Sequence, residues 1–86
     1  MYNYRDERSN LFTEEGQVLF LSIRDRVKSL LFTSGAVRMG HAISDSTGIT
    51  WMMLACVDRM VELGELQEVT APNSCSGQDR VFVSNN

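Results

Sequence analysis

The residues equipped for chemistry in this 86-residue chain are few and scattered. The single histidine, His41, stands four residues before Asp45, a spacing that brings side chains together on a helix. Imidazole titrates near neutrality, so the pair has the elements of acid–base chemistry. Neither a nucleophile nor a metal-ligand set accompanies it, and a surface histidine is the expectation. Cys56 and Cys75 are the only cysteines, and their spacing matches no zinc pattern that one histidine completes. Both read as free thiols of a reducing compartment. No serine lies in a G-x-S-x-G elbow, and there is no glycine-rich phosphate loop. The expectation is a protein that is not an enzyme and uses no cofactor or metal.

Binding is the chemistry that remains, and Trp51 is the most informative residue for it. At 100° per residue, Trp51, Ala55, Asp58 and Glu62 fall opposite the apolar stripe Ile49, Met53, Cys56, Val57, Met60 and Leu63. A large aromatic on the face away from the core marks a protein contact. Leu54 and Ala55 extend an apolar patch beside it, and Asp58 and Glu62 supply an acidic rim, the pattern of an interface. The competing expectation is that Tyr2 or Tyr4 folds back over the tryptophan. The methionines at helical spacing, Met53 and Met60, read as core.

These residues must be positioned by a small set of elements. Residues 1–11 read as a flexible or loosely docked leader and residues 12–86 as one domain. Thr13 is the N-cap of a first helix, with Glu14 and Glu15 at its positive end and Phe12 placed for a hydrophobic staple. Phe20, Ile23, Val27, Leu30 and Leu31 form its apolar stripe, and Thr33-Ser34-Gly35 ends it. Residues 36–38 are short and suited to an extended conformation. A short second helix follows over residues 39–46, with Met39, Ala42 and Ile43 inward. Residues 44–48 form a polar turn. The third helix runs from residue 49 or 50 to Leu63 and stops at Gly64. Extended stretches at 66–70 and 80–84, separated by a loop with Pro72 and Gly77, read as a β-hairpin with a long tip.

Composition agrees with one globular α+β domain: 43% hydrophobic and 22% charged residues, with formal net charge -3. The longest apolar run, residues 51–57, is too short for a bilayer span, and the polar first ten residues lack the apolar core of a secretory signal. A cytoplasmic location is expected.

The order helix, short strand, helix, tight turn, longer helix, hairpin resembles the winged helix-turn-helix superfamily. The likeness is carried by AISDSTGITWMMLACVDRMVELGELQEV, residues 42–69, with the acidic–apolar–glycine corner Val61-Glu62-Leu63-Gly64-Glu65-Leu66 and the second wing strand Arg80-Val81-Phe82-Val83. It implies three helices followed by a two-stranded wing, and a third helix that enters the DNA major groove. The reading positions would be Thr47, Thr50, Trp51, Leu54 and Ala55, with Arg59 flanking them and Arg80 on the wing. A small DNA-binding transcriptional regulator is then the expected function.

Charge opposes that implication. From residue 34 onward, Arg38, Arg59 and Arg80 face six acids, although DNA affinity comes largely from neutralising phosphates. Trp51 and Leu54 offer nothing comparable to arginine on guanine. The alternative is an acidic protein-interaction module, an adaptor or accessory subunit, that meets a protein partner or its own copy through the third helix.

Overall fold

The computed structural model describes residues 2–44, 50–69 and 79–85. Among these residues the elements follow in chain order as α1 (Tyr4–Glu7), a 3-10 turn (Arg8–Phe12), α2 (Glu14–Ser34), β1 (Ala36–Arg38), α3 (Met39–Ile43), α4 (Thr50–Glu62), β2 (Leu66–Glu68) and β3 (Val81–Ser84). No helix among the described residues is long and apolar enough to cross a membrane.

Local chemistry explains the helix ends. The Thr13 hydroxyl accepts from the Gly16 N–H at 3.0 Å, and Glu14 and Glu15 occupy the first turn of α2. Gly35 ends that helix in the left-handed region, φ 78°, its N–H donating to the Leu31 carbonyl. At the end of α4 the Gly64 N–H donates to Val61 and the Glu65 N–H to Met60. That is the paired Schellman arrangement, and it needs the positive φ of 80° that Gly64 adopts.

The sheet departs from the expected two-stranded wing. Strand order is β1-β3-β2, all antiparallel, because Ala36–Arg38 pairs with Val83–Val81 on the other side of β3. The Met39 N–H extends this seam by donating to the Arg80 carbonyl at 2.7 Å. The alternating burial of β1, with only Val37 inward, is what a strand covered on one face requires.

One apolar core joins these elements. Phe20, Ile23 and Val27 of α2 meet Met53, Val57 and Met60 of α4, with Met39, Ala42 and Ile43 of α3 and Phe82 of β3 closing the ends. Two expectations for α4 need correction. Leu54 and Ala55 are buried, whereas Leu63, expected inward, is 47% exposed. The N-terminal segment lies on the outward side of α4. Residues 4–12 are not a loose leader: they are helical, pack on both α2 and α4, and send Leu11 into the core at 1% exposure. Phe12 lies half exposed beneath two guanidiniums.

Cys56 is a free thiol at the centre of this packing, and burial pushes its pKa up to about 12. A maleimide or disulfide reagent at pH 8 is expected to leave Cys56 unmodified in the folded chain and to label it once urea unfolds the domain. Mass spectrometry of the Cys56 peptide reads the difference; native-state labelling at the rate of a free thiol would contradict the packing.

Candidate functional site

The outward face of α4, where both binding readings converged, is largely occupied from within the chain. Three N-terminal side chains clasp its two acids. The Tyr2 hydroxyl donates to Asp58 Oδ2 at 2.6 Å, the Tyr4 hydroxyl donates to Glu62 Oε1 at 2.8 Å, and Arg8 Nε donates to both Glu62 oxygens at 2.9 Å. Arg59, one turn away, also pairs with Glu62. Arg8 and Arg59 lie over the Phe12 ring at 5.0 and 5.1 Å from its centroid, a double cation–π contact that fixes the segment's last residue.

Arg80 spans the gap between sheet and helix. Its Nη2 donates to Asp58 Oδ1 and to Glu68 Oε1, each at 2.8 Å, and its Nε donates to Glu68 Oε2 at 3.1 Å. The side chain retains only 19% exposure. It also lies 5.1 Å from the Phe82 ring centroid. Arg38 makes a looser pair with Asp79 at 3.6 Å. All three arginines of the second half therefore have carboxylate partners.

The residues singled out from the sequence thus separate. Thr47 lies outside the described residues, as do Asp45, Cys75 and the tip of the hairpin. Thr50 and Trp51 are exposed at the start of α4, Trp51 at 43%. Leu54 and Ala55 are core and present no patch beside the tryptophan. Asp58 pairs with Arg80 and Glu62 with Arg59, in two clusters satisfied from within the chain rather than as a rim or a phosphate site. His41 is exposed; its backbone carbonyl, not its ring, accepts from Arg26 and Ser44. Among the described residues no group of three or more His, Cys, Asp or Glu side chains is placed to hold a metal ion.

A second surface was missed. Val18, Leu21 and Phe32 stand on the outer face of α2, 67%, 53% and 92% exposed. A phenylalanine left almost wholly in water on a long helix is unusual, and its spacing from Val18 and Leu21 puts all three on one stripe, opposite Phe20, Ile23 and Val27. The signal was present in the sequence as apolar residues at positions 18, 21 and 32, on the polar side of an amphipathic pattern. Phe32 and Lys28 also border an open cleft of about 470 Å³, shared with Leu31, Met60, Gly64, Glu65 and Ser84.

The electrostatics of the clasp give a pH dependence. Hydrogen bonds from Arg8, Tyr4 and Arg59 lower the Glu62 pKa from 4.5 to about 2. Arg24 lowers that of Glu65 and Arg80 that of Glu68. Burial and the bond to Glu62 raise Tyr4 to about 12. Carboxylates whose folded pKa is depressed add stability above their unfolded pKa and lose it as pH falls through the folded value. Thermal midpoint is therefore expected to be level above about pH 5 and to fall between about pH 4.5 and pH 2. Glu62→Gln should flatten part of that acid limb; an unchanged limb would show that the clasp adds no stability.

No protein-family model, curated protein or solved structure matches this chain.

Proposed function

We propose that this chain is a winged-helix protein-interaction module, an adaptor or accessory subunit acting in a reducing, cytoplasmic setting, whose contact surface is the outer face of α2. The element order from α2 to β3 supports the winged-helix reading. The observation that carries the functional reading is the state of α4. The helix that would read a DNA groove is covered over its later turns by α1 and the 3-10 turn, and its flanking arginines are held by carboxylates. A phosphate would have to displace those partners, in a second half whose acids outnumber its bases. Large apolar side chains stand free on α2 instead.

The DNA-binding reading retains the helix order and the exposed Thr50 and Trp51. Anisotropy of a labelled mixed-sequence duplex, titrated with the full chain at about 50 and about 200 mM salt, tests the two against each other, because phosphate-driven binding weakens steeply over that range. The expected result is no saturable shift at micromolar protein. A tight complex that weakens with salt and is lost in Arg59→Ala would overturn the proposal.

A further inference from the structure

We propose that the outer face of α2 pairs antiparallel with the same face of a second copy of this chain, forming a two-fold symmetric homodimer. The inference rests on the protein-interaction reading above and names the partner of that surface.

The argument begins with spacing. Val18, Leu21, Asp25, Lys28 and Phe32 follow one another at alternating steps of three and four residues, the repeat of a helix seam. All five are exposed on a helix of 21 residues, about 31 Å long. The ends of the stripe are apolar and its centre is one acid and one base. Neither Asp25 nor Lys28 has an ion-pair or hydrogen-bond partner among the described residues. Lys28 feels the charge of Glu65, and Asp25 acts on neighbouring Arg24, both only at a distance.

Charge then selects the partner and its direction. In an antiparallel seam, positions three and four apart alternate across the axis. Asp25 faces the partner's Lys28, and by symmetry Lys28 faces the partner's Asp25. The same register sets Leu21 against the partner's Phe32, twice, and Val18 against the C-terminal end of the partner's helix, where Gly35 leaves room. A two-fold contact requires that if one residue meets another, the reverse also holds, and this stripe satisfies that condition at every step. A parallel pair would place Asp25 on Asp25 and Lys28 on Lys28, an arrangement that like charges oppose. An unrelated partner would need its own complementary acid–base pair, whereas a second copy already has one in register.

Sedimentation equilibrium of the full chain up to about 1 mM, a concentration at which weak complexes are populated, is the first measurement. The wild type should show twice the monomer mass at the upper concentrations. Phe32→Glu should weaken association at least tenfold. The charge variants give the decisive arms. Asp25→Lys alone and Lys28→Asp alone should each be monomeric, since each places like charges across the axis. Their equimolar mixture should recover a dimer, as should the double variant D25K/K28D. All five stripe residues are exposed, so circular dichroism is expected to show an unchanged fold in every variant.

A wild-type chain that stays monomeric at about 1 mM overturns the homodimer while leaving the interaction-module reading in place, which only the duplex titration would remove. A dimer indifferent to Phe32→Glu and to both single charge changes would also overturn this pairing. A mixture of the two single variants that fails to associate, when the wild type does, would refute the Asp25–Lys28 register.

Discussion

Arg80→Ala is expected to lower folding stability by about 3–5 kcal/mol, the range for removing one partner of a largely buried ion pair. Arg80 and Asp58 keep 19% and 13% side-chain exposure. Without the guanidinium, Asp58 and Glu68 would face each other across a partly dry gap, with the Tyr2 hydroxyl left on Asp58 among the described residues. Urea denaturation followed by circular dichroism measures the loss. Arg38→Ala is the internal comparison: its partner Asp79 is 70% exposed, and the cost should stay below about 1 kcal/mol. The contrast also bears on function. An arginine kept for phosphate contact stands in solvent, and its removal leaves stability nearly unchanged. A loss under 1 kcal/mol for Arg80→Ala would return this residue to the list of possible DNA contacts.

The second large effect runs against helix propensity. Alanine normally improves on glycine inside a helix by about 1 kcal/mol. At Gly16, in the first turn of α2, a β-carbon would lie 2.1 Å from the Asn10 carbonyl oxygen and 2.7 Å from the Leu11 α-carbon. Those are backbone atoms and cannot rotate aside. Gly16→Ala therefore has to lift the 3-10 turn, withdrawing Leu11 from the core and stretching the bond from Gln17 Nε2 to the Leu11 carbonyl. A net loss of about 2–4 kcal/mol is expected from the exposed leucine and the repacking. Hydrogen exchange should show protection lost first in residues 4–12. Stabilisation by alanine, the ordinary outcome in a helix, would show that the N-terminal segment is not seated as described.

Most of the framework was legible in the sequence because short-range chemistry sets it. Thr13 with two following glutamates, the apolar stripe through Phe20, Ile23 and Val27, and the glycines at 35 and 64 mark both long helices by capping and periodicity alone. The inward triad Met39, Ala42 and Ile43 followed from the same logic. What escaped depended on distant pairing. Residues 36–38 could be read as extended, but their seat beside residues 81–83 follows from the return of the chain, not from local pattern. The greater miss was the N-terminal segment. Its polar composition suggested a loose leader, yet its tyrosines and Arg8 have partners at positions 58 and 62, more than fifty residues away. With that segment unplaced, helical geometry assigned Ala55 outward, and Leu54 read as extending an apolar patch beside Trp51. The same assumption drew attention to Trp51 and away from Phe32, which is 92% exposed in the last turn of α2.

The strand order has a consequence for the time course of synthesis. β3 is made last and lies in the middle, so β1 and β2 have no neighbour to pair with until residues 81–84 arrive. Phe82, which is fully buried, arrives in the same step. While the chain is being made, α2, α3 and α4 can already touch, but two strand edges stay open and the core lacks a wall. Open edges invite pairing with other chains. Completion of the fold is thus tied to a four-residue strand near the end of the described chain, and a nascent chain halted before it is in the state most prone to aggregate.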